Sequence, residues 1–285
     1  MGFASDLGTE LYYYCPGGLP DLVSTAIVRM YTPAGFVIAA DGRVCDDNNV
    51  VISDATQKIF AIENDQRVLA YSFTGSAKLT PEDSDEIVFD FVAEAAKVVQ
   101  DLATRKSKNL YGYAVRLSVA INALLSDGKK TGRIPTFPTQ GRPEPDERGV
   151  SICRIFLDGY YNGLASRVQI RFGHEDQKVA EPMIFTDKIQ AWDSRTVGSQ
   201  FVRELLLDRS DKTFEAYRVT PEQFPDALSY AVATARSHIQ AHGDPAALAL
   251  DAEVCRGIGG HIHIATVTPD RGFQWVEGFE PLDPN

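Results

Sequence analysis

Cysteine, methionine and tryptophan are scarce, with 4, 3 and 2 copies in 285 residues. Cys15, Cys45, Cys153 and Cys255 stand far apart, and no CxxC pair occurs. That spacing excludes a disulfide scaffold and a zinc ribbon. Positive charge is also short, since 28 Lys and Arg face 39 Asp and Glu for a net charge of −11. A chain so acidic lacks the electrostatic footprint of a nucleic-acid binder and is not drawn to anionic membranes. No apolar run approaches the roughly 20 residues of a membrane span. The opening MGFASDLGTELYYY has no basic segment, so no secretory signal is expected, and Asp6 breaks the myristoylation pattern after Gly2. A reducing, cytoplasmic setting and a protein without metal or cofactor are the expectation.

What is present is ordinary globular material, 44% hydrophobic and 24% charged. A chain near 300 residues buries roughly 75% of its unfolded surface, enough for a large core. The length alone leaves one large domain or two open. Residues 1–24 contain YYYCPGGLPDL, hold no sustained period, and read as a leader. From Thr25 the pattern turns to strands. TAIVRMY and FVIAAD flank a Pro-Ala-Gly turn, and VVISDATQKIFAI and QRVLAYSFTG repeat the format. Thr80-Pro81-Glu82-Asp83 then offers a helix start, with apolar residues at helical spacing from Ile87 to Leu102. A second helix is predicted over about Tyr111 to Leu125. The Pro- and Gly-rich stretch 126–149 reads as a long loop. Strands return at VSICRIFLDGYY, SRVQIRFG and MIFTDKIQAW, followed by a helix from about Gly198 to Leu207. Thr220-Pro221-Glu222-Gln223 opens a further helix, and GGHIHIATVTP with GFQWVEGF forms a closing hairpin. Strands grouped around grouped helices predict sheet and helix layers rather than alternating βαβ units.

The segment from Thr25 carries the chemistry. Thr25 begins a strand, Ala39-Ala40-Asp41-Gly42-Arg43 ends the next, Lys58-Ile59 opens another, and Thr74-Gly75-Ser76-Ala77 is a small-residue turn. In order and spacing this resembles the start of a proteasome β-subunit, a member of the N-terminal-nucleophile (Ntn) hydrolase superfamily. The resemblance implies an α+β fold, a four-layer αββα sandwich of two antiparallel sheets over 25–285. It implies a threonine peptidase with Thr25 as nucleophile after cleavage of the Ser24–Thr25 bond. It further implies a homo-oligomeric ring, an unfolded-protein or peptide substrate, and an ATPase partner.

The residue types suit that reaction. A threonine hydroxyl is a poor nucleophile and needs a base. A free α-amino group, with an ordinary pKa near 7.7–8.0, is matched to neutral pH where a lysine near 10.4 is not. Cationic Lys58 would favour the alkoxide, Asp41 would hold Lys58, and the Gly75 N–H would receive the oxyanion. Ser24 stands where active relatives have glycine. The family's supporting Asp-x-x-Ser-Gly aligns on Cys255-Arg256-Gly257-Ile258-Gly259, with Ile258 at the serine position. Asp251 is the alternative acid, and Ser194 or Ser199 the second supporting hydroxyl.

Other constellations are weaker. His261-x-His263 on a strand and His238/His242 on a helix could pair on a metal, but neither has a carboxylate in a known ligand spacing. Gly257, Gly259 and Gly260 lack the Lys-Ser/Thr of a phosphate loop. Cys15 is a remote candidate nucleophile. Two other functions fit the same residues: a non-catalytic structural or assembly subunit that keeps its leader, and an Ntn amidase for a small substrate.

Overall fold

A computed structural model describes residues 25–45, 50–80, 86–137 and 149–282. Residues 1–24, including Cys15 and Ser24, the Pro81–Asp83 part of the first capping signal, and most of the long loop lie outside the described residues.

The described residues begin with a hairpin of β1 (Ile27–Thr32) and β2 (Gly35–Asp41). Its turn is held by the Thr32 hydroxyl, which accepts from Ala34 N and donates to Gly35 O at 3.1 Å each. Two short strands follow, β3 (Val44–Cys45) and β4 (Val51–Ser53), then β5 (Ile59–Asn64) and β6 (Arg67–Gly75). Next come β7 (Lys78–Leu79), β8 (Phe89–Asp90), α1 (Phe91–Asp101) and α2 (Leu110–Lys130). The long hairpin of β9 (Val150–Tyr161) and β10 (Leu164–Glu175) turns on Asn162-Gly163, both with positive φ. That is the pair a tight two-residue turn demands. After β11 (Lys178–Val179), β12 (Met183–Thr186) and β13 (Ser194–Val197) comes α3 (Gln200–Leu207). Then α4 (Ala227–His242), α5 (Pro245–Leu250) and α6 (Ala252–Cys255) precede the last hairpin, β14 (Ile262–Thr268) and β15 (Gly272–Trp275).

The chain is a mixed α/β protein built on antiparallel sheets, as expected. One sheet has the order β13-β1-β2-β14-β15 and the other β11-β10-β9-β6-β5, with β12 also on β10. In β2, Val37 and Ala39 point to one face and Phe36, Ile38 and Ala40 to the other, and all are buried. A strand covered on both faces reads as an unbroken apolar run, which is why FVIAA shows no alternation. The outer face of the first sheet packs on α4 through Ala231, Ala235 and Ile239. The inner faces of the two sheets meet at Ile27, Ile38, Phe156 and Ala265. The second sheet rests on α1 and α2 through residues such as Phe91, Tyr113, Leu117 and Ile170.

Between the sheets lies a buried charge cluster. Asp158 on β9 accepts from Arg29 Nε on β1 at 2.6 Å and from Arg167 Nε on β10 at 2.6 Å. Arg167 continues to Asp193 at 2.8 Å, and Arg29 stacks 4.2 Å over the Phe156 ring.

Several sequence expectations shift. The helix predicted from Thr80 starts at Phe91, with Asp90 as its N-cap. Leu79, just before Thr80, pairs with Phe89 as a strand bridge instead, because both fill the core. The second helix runs on to Lys130, past Gly128, so the stretch from 126 begins as helix. The box at Thr220 caps only a 3₁₀ turn, Pro221–Gln223, and α4 starts later behind Asp226. The strand read over MIFTDKIQAW is limited to its first four residues, Met183–Thr186.

Candidate active site

Thr25 lies two residues before the start of β1, Asp41 ends β2, and Lys58 directly precedes β5. The β1–β2 register pairs Ile27 with Ala40. It is closed beyond by Asp41 N donating to Ala26 O at 3.1 Å and Ala26 N donating to Asp41 Oδ1 at 2.9 Å. Hairpin geometry thus fixes the Asp41 carboxylate beside Thr25. Lys58 enters from the second sheet. Its ammonium donates to Asp41 Oδ1 at 3.0 Å, to Arg43 O at 2.8 Å and to Thr25 Oγ1 at 3.5 Å. All three side chains are buried, Thr25 to 4% exposure and Lys58 to 7%.

The Asp41 carboxylate is over-determined. Its Oδ2 also accepts from Arg43 N and Gly259 N, each at 3.3 Å. Burial pushes this carboxyl above its ordinary value, while the Lys58 ammonium and the backbone N–H groups pull it back. The group is held in place by four protein donors, and its charge is matched by one cation.

Gly75 closes β6. Phe73, two residues earlier, donates its N–H to Lys58 O at 3.3 Å, which ties this strand end to the Lys58 turn. Gly75 has φ +92°, and a Cβ there would meet Ile152 O at 2.6 Å. Glycine is required by both conformation and space.

The supporting candidates separate. Ser194 pairs with Met30, well along β1 from Thr25. The same register pairs Val197 with Ile27, so continuing it by two residues sets Ser199 level with Thr25. Ser199 is buried, and its hydroxyl donates to Asp251 Oδ2 at 2.7 Å. Asp251 is the N-cap of α6 and accepts from Val254 N with its other oxygen. Ile258 is a core residue packed against the first sheet and α4. The neighbouring Gly259 supplies its N–H to Asp41 instead. Sequence reasoning had Ser199 and Asp251 as separate options and missed that they are one pair, 52 residues apart. Their shared signal is that each stands just before a short helix, where Ser and Asp cap.

The histidines form no metal centre: among the described residues no group of three or more His, Cys, Asp or Glu could hold an ion. The rings of His261 and His263 lie 4.9 Å apart, and His261 Nε2 contacts Glu280 O at 2.8 Å. His263 is fully buried, and burial, aided by His261 and Lys58, pushes it down to about 4. A recess of about 1100 Å³ lined by Glu175, Met183 and Phe185 among others lies at β10–β12 and contains none of the Thr25 group.

The sequence matches no family model and no curated protein. Solved structures do resemble it. An Anbu mutant from Hyphomicrobium sp. strain MC1 aligns with a TM-score of 0.51 at 12% identity, over 91% of this chain and 88% of that one. The Anbu complex from Pseudomonas aeruginosa, described as a helical assembly, aligns with a TM-score of 0.50 at 12% identity, over 88% and 86%. The fold is the Anbu fold. Anbu, the ancestral beta-subunit, is proteasome-like but a family distinct from the proteasome β-subunits. The expected resemblance to a proteasome β-subunit is therefore corrected. Anbu has a proteasome-like fold, and a short run of strand-end residues does not separate two families of related fold. At 12% identity the likeness to Anbu carries the fold and nothing about reaction or partner.

Proposed function

We propose that this chain is an Ntn-type threonine hydrolase acting on peptide bonds, with residues 1–24 as a removable leader and 25–285 as one catalytic domain. The observation that carries the reading is the Lys58 ammonium, bonded at once to Thr25 Oγ1 and to the Asp41 carboxylate. A lysine ordinarily extends its ammonium to water. Here it is turned inward onto a threonine hydroxyl. The order of packed faces, helix, sheet, sheet, helix, supports reading the domain as a four-layer αββα sandwich.

Cleavage of the Ser24–Thr25 bond would turn the Thr25 amide nitrogen into an amine. The amine takes the hydroxyl proton as Thr25 Oγ1 attacks the scissile carbonyl carbon. Lys58 stabilises the developing charge on Oγ1, and the Gly75 N–H donates to the oxyanion, a contact type that elsewhere contributes about 2.7–4 kcal/mol. Collapse breaks the C–N bond, and the ammonium returns its proton to the leaving amine. Water, deprotonated by the same amine, then attacks the ester carbonyl; the C–Oγ1 bond breaks, the ammonium returns its proton to Thr25 Oγ1, and the acid product leaves. Ser199 and Asp251 hold a polar flank beside the new amine.

Intact mass and peptide hydrolysis test this together. A species beginning at Thr25, with hydrolysis abolished in Thr25→Ala, is the expected result; hydrolysis retained in that variant rejects the assignment. A second reading, a non-catalytic subunit that keeps its leader, rests on Ile258 filling core where the family's supporting hydroxyl was expected. A full-length chain after long incubation would favour it. Assembly into a homo-oligomer fits either reading, given that the Pseudomonas aeruginosa Anbu complex is a helical assembly.

A further inference from the structure

Gly198 and Ser199 link β13 to α3, and Ser199 must be held if its hydroxyl is to meet Asp251. Directly against this link lies His242, the last residue of α4 and wholly buried. Its Nε2 is 3.3 Å from Ser199 O, and its Nδ1 is 2.7 Å from His238 O. Gly198 has φ +137°, and a Cβ there would come within 2.7 Å of His242 Nε2. The imidazole therefore fills the space that any larger residue at 198 would need.

We propose that His242 is a positioning residue of the Thr25 site: it holds the Gly198–Ser199 link so that the Ser199 hydroxyl reaches Asp251. The contact stands on its own; its effect on turnover rests on the threonine-hydrolase reading above. Both ring nitrogens face carbonyl oxygens, yet a neutral imidazole carries one N–H. The shorter contact assigns that proton to Nδ1 and leaves a lone pair against Ser199 O. Only the imidazolium satisfies both carbonyls, so gaining a proton tightens the link. Asp41 and Asp251 favour that cation, and burial opposes it with the larger effect. His238, one turn back on α4, is the other titratable ring beside it, with Arg203 of α3 next to His238. The Cys255 thiol lies by Ser199 and Asp251.

Two measurements decide the proposal. Imidazole ¹⁵N spectra of the full chain are recorded through a pH titration, with the His242 signal assigned by its loss in His242→Gln. We expect an Nδ1–H tautomer with a midpoint below the ordinary histidine value, as a ring buried against the link requires. A midpoint at the ordinary value, which a ring open to water would show, overturns the proposal. Hydrolysis supplies the second. His242→Ala, which empties the space beside Gly198, should lower kcat about tenfold with KM unchanged, the size of one coupling between neighbours. His242→Gln, which keeps much of the volume and a donor, should recover most of it. In a Ser199→Ala background the His242→Ala loss should nearly vanish; a loss as large as in the wild type overturns the proposal. If the wild type hydrolyses nothing, the functional reading fails while the spectra still decide the contact.

Discussion

At the residue scale, Lys58 is the hinge of the site. Its ammonium has three oxygen partners, and two of them are the groups the chemistry needs. Lys58→Ala should abolish hydrolysis, because the buried Asp41 then holds an unmatched charge and Thr25 Oγ1 loses its cation. Lys58→Arg should not rescue it, since a planar fork cannot replace a point charge between Thr25 and Asp41. Steady-state rates on a fluorogenic peptide check both. Gly75→Ala should lower activity and cost roughly 1 kcal/mol or more of stability, since its φ is +92° and Ile152 O bars a Cβ. A urea titration gives that cost. The buried ion cluster behaves differently. Asp158→Ala strands two buried guanidinium groups and should cost about 3–5 kcal/mol without touching Thr25. Its denaturant midpoint should fall sharply.

At the element scale, some of the fold was legible in the sequence. VSICRIFLDGYY reads as one strand and is one, β9, because its β-branched and aromatic residues are buried on both faces. Thr25 and Asp41 were legible as neighbours because the short β1–β2 hairpin dictates their register, whereas Lys58 comes from the second sheet and was grouped with them through the motif order alone. Helix starts were less so. Thr80-Pro81-Glu82 and Thr220-Pro221-Glu222 carry good capping chemistry, yet each helix starts several residues later behind an aspartate, Asp90 and Asp226. A cap lowers the energy of a helix start without deciding where the core wants the helix. Leu79 and Phe89 gain more from burial than from helical bonds, and tertiary packing wins. Asp90 accepts from Ala93 N at 3.0 Å, so Asp90→Ala should cost about 1 kcal/mol by thermal melting, with Thr80→Ala near neutral. The Ser199–Asp251 pair was illegible for another reason. A contact between loops 52 residues apart leaves no period or spacing in the chain.

At the scale of the whole molecule, the acid side of the stability curve is shaped by two histidines, the fully buried His263 and the half-buried His238. His238 and His263 are each pushed down to about 4, chiefly by burial. Their folded forms refuse a proton that the unfolded chain accepts near 6.5. The stability they protect is complete above pH 6.5 and is lost as pH falls toward 4. The slope approaches about 1.4 kcal/mol per pH unit for each histidine in that window. Guanidinium midpoints at pH 7.5, 6 and 5 should therefore decline, and His263→Gln should flatten the decline. An unchanged midpoint across that range would count against burial of these rings.

The position of β1 carries one more consequence. It is paired on one edge with β13 and on the other with β2, so the strand behind Thr25 has no free side. Chain termini usually fray, because the last residues lose neighbours on at least one side. A terminus created at Thr25 would escape that fate. The strand that follows it is clamped along both edges, and Ala26 keeps its bonds to Asp41. The cleavage proposed above would thus change the covalent state of one nitrogen with little change in its coordinates, and the uncut chain would already be the template of the cut site.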